Sequence, residues 1–321
     1  MSRVSVAGLS PDVGELSRGM VGVPGLTPAW EVPVVVARGR QAGPTLVVTS
    51  GVHAAEYVPI EAVTQFSRQL DLERLRGTFI AVLIVNMPGF YERTIYLNPR
   101  DGKNINRVFP GSPTGSASER VADFLVREVI DGADAYIDAH CGDLIEALLP
   151  FTISIESGST AVDQRSASLA TAFGLPYSMS ITGDSIQGTS SGTAAGRGIP
   201  AIAAEVGQQG ICDPAAVETY RNGLRRVAAE LGMLPLVPGP KEIAIQLREF
   251  AWLRAATTGS FLPAVRVGEN VTEGQAVGSL RDLFGEELIE IRANADGVVT
   301  FCVTCLPVKE GDPLLGIGVL A

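Results

Sequence analysis

Histidine is scarce: the 321-residue chain has only two, His53 and His140. Its four cysteines are too few for a disulfide scaffold in a chain of this length. Cys302 and Cys305 form a single C-x-x-C pair within residues 297–306, a stretch that reads as a strand. Residues three apart on a strand face opposite sides, and no second pair completes a zinc shell, so both read as buried apolar cysteines. That usage fits a reducing compartment, the cytoplasm. No apolar run reaches membrane-spanning length. Residues 1–10 lack the charged start, apolar stretch and cleavage site of a secretory signal. A formal charge of −10 argues against a nucleic-acid surface, which needs clustered Lys and Arg. It does not exclude anionic small substrates, because a local Arg cluster can override the global sign. A homo-oligomer is compatible with the sequence but not specified by it.

What is present is an alternation of strands and helices over the first ~230 residues. Strands are expected at 32–37, 45–49, 78–85, 135–139 and 199–204, and helices at 57–70, 118–130, 161–173 and 214–231. Residues 90–113 and 177–198 read as irregular; the second, dense in Ser, Thr and Gly, is either a flexible surface loop or a pocket wall. The pattern predicts an α/β fold with a mixed, largely parallel sheet and helices on both faces. Leu236-Val237-Pro238-Gly239-Pro240 marks a boundary, giving a catalytic domain at 1–238 and a C-terminal β domain at 239–321. Within the latter, Val271-Thr272-Glu273-Gly274 is echoed by Val308-Lys309-Glu310-Gly311, as in a small pseudo-symmetric all-β unit. This tail resembles barrel-sandwich modules that carry biotin or lipoyl groups. Its nearest lysine, Lys309, lies inside the repeat turn, which argues against a carrier role.

Both histidines follow apolar runs. His53 and Glu56 lie three apart at the end of one strand, and His140 ends another. Two imidazoles and a carboxylate make a half-shell for zinc with a position open for water. A bound ion would make that water more acidic and polarise a carbonyl. Glu205, behind a run of apolar and small residues at the end of a third strand, is the candidate for moving the water's proton; burial would raise its pKa. In folds of this kind sites gather at the carboxyl ends of strands. Asp138, two before His140, lies on the same strand face; it reads either as an acceptor for an imidazole N–H or as a sheet-end charge with no metal role. The loop from Asn98 to Gly111 concentrates Asn and Arg donors suited to a carboxylate or an oxyanion. It reads equally well as a loop held together by its own Asn turns.

Four segments carry a resemblance: Gly51-Val52-His53-Ala54-Ala55-Glu56, Asn104-Ile105-Asn106-Arg107-Val108-Phe109-Pro110-Gly111, Asp138-Ala139-His140-Cys141-Gly142 and Ala204-Glu205-Val206-Gly207. In this order they resemble the succinylglutamate desuccinylase/aspartoacylase family of zinc carboxypeptidase-like hydrolases, from about residue 30 to the end. The second segment is most similar to the branch that includes N-acetyl-diaminobutyrate deacetylases. The resemblance implies one zinc per chain on His53, Glu56 and His140, and Glu205 as general base and acid. It also implies that Asn106 and Arg107 grip a substrate carboxylate. An oxyanion-side Arg is expected before the Asn-Arg pair; Arg100 is taken for it, with Arg93 and Tyr96 as alternatives. Ala54 stands where the family often has Gly. The implied activity is zinc-dependent removal of an acyl group from a small N-acyl amino acid. Its rivals are carboxypeptidase-type cleavage of short peptides and a non-catalytic binding protein on a hydrolase scaffold.

Overall fold

The apolar runs around residues 46–49, 135–139 and 201–204 become neighbouring parallel strands, and the period-two rule divides their side chains between two cores. The computed structural model describes residues 5–182, 187–239 and 243–321. Its first elements are β1 (Leu16–Gly22), β2 (Glu31–Arg38), β3 (Gln41–Ser50), α1 (Tyr57–Arg68), β4 (Arg76–Val82), α2 (Met87–Glu92), α3 (Ala117–Leu125) and β5 (Ala135–His140). Then come β6 (Glu146–Leu148), β7 (Phe151–Glu156), α4 (Thr160–Phe173), β8 (Tyr177–Thr182), α5 (Ser190–Gly196), β9 (Ala201–Glu205), α6 (Pro214–Glu230) and β10 (Ile245–Arg254). The remainder is all strand: β11 (Gly259–Pro263), β12 (Asn270–Val271), β13 (Ala276–Arg281), β14 (Glu287–Arg292), β15 (Gly297–Val303), β16 (Pro307–Val308) and β17 (Pro313–Leu320).

The fold is mixed α/β. One large sheet runs β1-β2-β4-β3-β5-β9-β7-β8-β10-β17-β15-β12, with β6 paired to β15. The central neighbours β4-β3-β5-β9 are parallel, as are β7-β8-β10. Leu46, Val48, Ile137, Ala139, Ile202 and Ala204 pack on one face against α1, α4 and α6, through residues such as Phe66, Phe173 and Leu224. Val47, Tyr136 and Ala201 face the other way, toward α3 and α5. Helices therefore cover both faces, as the alternating pattern required.

Because β10 pairs in parallel with β8, the large sheet continues past the expected boundary near 238; residues 240–242 lie outside the described residues. Beyond β10 a second, four-stranded sheet, β14-β13-β11-β16, packs its own cluster, including Phe261, Val277, Leu280 and Leu315. No described helix is long and apolar enough to cross a membrane.

Three local expectations are corrected. Residues 177–198 contain a strand and a helix rather than a loop. Tyr177, Met179 and Ile181 alternate with serines on β8, and Thr189 caps α5 by accepting from Gly192 N; residues 183–186 lie outside the described residues. The helix expected over 118–130 is α-helical only to Leu125 and finishes as a π-helical turn, Val126–Ile130. Strands β1 and β7 were not anticipated.

Candidate metal centre

Gly51 turns the chain out of β3 at φ 64°. A Cβ there would meet Ile60 Cδ1 at 3.1 Å and Ile84 Cα at 3.2 Å, so the left-handed turn into His53 needs glycine. The chain then re-enters regular structure at α1, with Glu56 in the N-cap position. Its carboxylate caps nothing. Instead Glu56 Oε1 lies 2.7 Å from His53 Nδ1 and Oε2 lies 2.8 Å from His140 Nδ1, and Oε2 also accepts from Cys141 N at 3.3 Å. Ligand atoms of His53, Glu56 and His140 all fall within 4.8 Å of one another.

The far sides of both imidazoles are held as well. His53 Nε2 is 3.1 Å from Asn104 Oδ1, and His140 Nε2 is 2.9 Å from Asp138 Oδ2. Both Nδ1 atoms therefore converge while both Nε2 atoms meet protein acceptors, the arrangement metal-binding histidines adopt. Two neutral nitrogens and a carboxylate are a catalytic zinc donor set, and the residues fit that ion.

Asp138 is fully enclosed. Its Oδ2 accepts from Ser190 Oγ at 2.6 Å and from Asn106 Nδ2 at 3.0 Å, and its Oδ1 receives the weaker Thr49 Oγ1 contact at 3.4 Å. Burial pushes the Asp138 carboxyl up, but His140 and these donors outweigh it and hold it below the usual range. Glu56 behaves alike: burial raises it and the two imidazoles bring it down. For His140 burial favours the neutral ring, yet Asp138 and Glu56 on either side raise its pKa well above the ordinary value.

Glu205 stands beside His140, its partner in the parallel register of β5 and β9. Burial, joined by the charges of Glu56, Glu146 and Asp138, pushes its pKa up to about 8, against the pull of His140. A carboxyl in that range can both accept and return a proton near neutrality.

These groups form the floor of a cavity of about 730 Å³, the size of a small-molecule site. Its other walls come from β7, β8, β10 and β15, including Phe151, Met179, Phe250, Trp252 and Phe301. Residues 177–198 thus supply pocket wall through Met179–Thr182, Thr189 and Ser191.

The loop expected to bind substrate divides. Arg107 lines the cavity, exposed, with one guanidinium N–H donated to Asn106 O at 2.7 Å. Asn106 is buried and spent: its Nδ2 serves Asp138 and lies 3.0 Å from His140 Nε2, and its Oδ1 accepts from Ser190 N at 2.9 Å. It lines the cavity with its amide engaged on the floor groups. Arg100 is not at the cavity. Asn98 folds the backbone by accepting from Arg100 N, which sends the guanidinium outward to Pro28 O at 2.7 Å and Ala29 O at 3.0 Å, over the Trp30 ring. Arg93 is exposed and also absent from the lining. Of the three side chains considered for the oxyanion, only Tyr96 lines the cavity.

Tyr96 sits at φ 55°, a conformation that costs a bulky residue of order 1–3 kcal/mol. It is held there by Asp143, which accepts from Tyr96 N at 3.0 Å, and by Glu146, which accepts from its hydroxyl at 2.6 Å. Sequence reasoning missed Asn104, Ser190 and Glu146. Asn104 and Ser190 lie in the Asn-rich and Ser/Gly-rich stretches already singled out; Glu146 carried no local signal.

A family model described as the succinylglutamate desuccinylase/aspartoacylase catalytic domain matches residues 42–231. The chain is 29% identical over 291 residues to N-alpha-acetyl-L-2,4-diaminobutyric acid deacetylase of Halomonas elongata, covering 88% of this chain and 84% of the relative. Among solved structures it is similar to the product-bound ectoine utilization protein EutE (DoeB) of Ruegeria pomeroyi. That match has a TM-score of 0.87 and 25% identity over 95% of each chain. It is also similar to a succinylglutamate desuccinylase/aspartoacylase of Rhodobacter sphaeroides, with a TM-score of 0.85 and 28% identity over 95% of this chain and 96% of the other.

Proposed function

This chain belongs to the succinylglutamate desuccinylase/aspartoacylase family, and on that premise we propose that it is a zinc-dependent hydrolase cleaving the amide bond of a small N-acyl amino acid. The observation that carries the reading is the convergence of His53, Glu56 and His140 beside Glu205 on one cavity floor. One zinc per chain would be held by the first three side chains. When bound, such an ion supplies Lewis acidity, which polarises a carbonyl oxygen and acidifies water. Glu205 takes a proton from the attacking water, whose oxygen adds to the amide carbon. It then gives the proton to the departing nitrogen as the C–N bond breaks, leaving a carboxylate and an amine. Arg107, at the cavity wall, pairs with the α-carboxylate of the substrate. Asp138 and Asn104 fix the two imidazoles, and Tyr96, which lines the cavity with its hydroxyl donated to Glu146, stands at the place expected for the oxyanion group. The deacetylase from Halomonas elongata, named for an N-acetyl amino acid, supports this substrate class.

The division into 1–238 and 239–321 is retained as part of the proposal, with the C-terminal β part supplying cavity wall through Phe250, Trp252 and Phe301. The free cysteines agree with a cytoplasmic location. The test is a side-by-side assay of zinc-loaded protein on N-acetyl amino acids, N-succinyl amino acids and dipeptides. Turnover of the acyl amino acids supports the reading; turnover of dipeptides alone replaces it with a carboxypeptidase.

A further inference from the structure

Four aromatic rings form a row along the cavity wall away from the metal centre. Phe151 and Phe250 have centroids 5.2 Å apart, Phe250 and Trp252 6.1 Å, and Trp252 and Phe301 5.2 Å. The row starts at the chemistry, since Phe151 is the direct antiparallel partner of Glu205. At its far end Trp252 and Phe301 are both cross-strand neighbours of Gly316. A Cβ on Gly316 would press on Trp252 Cζ3 at 3.2 Å and on Phe301 Cβ at 3.1 Å, so the bare backbone of β17 is what seats these two rings. Trp252 nevertheless remains 41% exposed. A large indole facing a concavity, beside other rings, marks a surface that awaits an apolar group.

Two carboxylates near this wall have partners. Glu146 accepts from the Tyr96 hydroxyl at one oxygen and from Asp143 N, 2.8 Å away, at the other. Glu249 is bonded to Arg248 at 3.0 Å. The Arg248–Glu249 pair lies at the exposed rim, with side chains 65% and 59% exposed, while the row itself offers a ring the 5–6 Å spacing that its own rings already keep.

We propose that Phe151, Phe250, Trp252 and Phe301 form the side-chain subsite of this cavity, selecting amino acids with an aromatic or other large apolar side chain. The proposal rests on the deacylase reading for the reaction catalysed. The amino-acid half is the part that reaches the row, because Glu205, which serves the departing nitrogen, is the neighbour of Phe151.

The test has two arms. In the first, kcat/KM is measured for the N-acetyl derivatives of phenylalanine, leucine, glycine, aspartate and 2,4-diaminobutyrate. Phenylalanine is expected to exceed aspartate and diaminobutyrate by about tenfold or more, the scale on which an apolar pocket discriminates. The phenylalanine-to-glycine ratio should fall about tenfold in Trp252→Ala and Phe250→Ala, and recover in Trp252→Phe. Preference for a charged side chain, or an unchanged ratio in Trp252→Ala, overturns the subsite. In the second arm, tryptophan emission of the zinc-loaded Glu205→Gln protein is titrated with N-acetylphenylalanine and N-acetylaspartate. Of the two tryptophans, Trp30 is buried and outside the cavity lining, so a saturable change reports Trp252. A response to the phenylalanine derivative at lower concentration supports the subsite; the reverse order, or none, overturns it. Such binding without turnover of any amide would remove the deacylase reading and leave the subsite standing; turnover of charged derivatives only would do the opposite.

Discussion

His140 and Glu205 are register partners at the carboxyl ends of two adjacent parallel strands. Paired residues in a parallel ladder project from the same face, so the imidazole and the carboxylate are fixed side by side by backbone hydrogen bonds rather than by a flexible loop. That placement separates proton transfer from ion binding. Glu205→Gln keeps the shape of the side chain and removes its basicity. It is expected to lower kcat by about 10²–10⁴ while zinc content, read by elemental analysis, stays that of the parent. An unchanged kcat would end the role assigned to Glu205.

Asn106 tests the environment of His140. Its amide donates to Asp138, the acceptor of His140, and accepts from Ser190 N, so Asn106→Ala should weaken zinc affinity about 10–100-fold, as the loss of such supporting contacts does. Competition with a chromophoric chelator measures this. If Asn106 instead gripped substrate, KM would rise with zinc affinity unaltered.

Arg107 and Arg100 should separate cleanly. Arg107→Ala is expected to raise KM with little change in kcat, the signature of lost uniform binding. Arg100→Ala should leave both constants in place, because its guanidinium serves Pro28, Ala29 and Trp30. Steady-state kinetics of the two variants would reveal any exchange of these roles.

The raised pKa of Glu205 has a thermal consequence in ion-free protein. The folded state keeps this carboxyl protonated up to about 8, whereas the ordinary value is 4.5. Folded protein therefore binds the extra proton, and its contribution to stability is present below 4.5 and lost as pH rises to about 8. Melting temperatures of zinc-stripped wild type and Glu205→Gln should diverge across this interval, with wild type falling relative to the variant. Parallel curves would contradict the burial argument.

Much of the centre could be read from the chain because only His53 and His140 were available and each follows an apolar run, as does Glu205. Strand ends of one sheet are spatial neighbours whatever their separation in sequence. The supporting contacts were less legible. Asn104 and Asn106 sit two apart in one motif, yet one holds His53 and the other Asp138, a division set by where Gly188 and Ser190 meet the loop. Phe109 N bonds to Gly188 O at 2.9 Å, and a Cβ on Gly188 would lie 2.4 Å from Arg107 O. That contact joins segments eighty residues apart, roughly, and has no local pattern. Arg100 lies off the cavity through contacts equally remote in sequence: its guanidinium bonds to Pro28 O and Ala29 O, some seventy residues away. Strand β8 was hidden by its serines, which masked an apolar alternation of period two.

The most direct test is a zinc titration of stripped protein, followed by calorimetry and by hydrolysis of an N-acyl amino acid in the same samples. One equivalent per chain should bind and restore turnover in proportion to occupancy, and His140→Ala should lose both. Turnover that persists in stripped protein, or full zinc binding by His140→Ala, would contradict the shared metal centre of His53, Glu56 and His140.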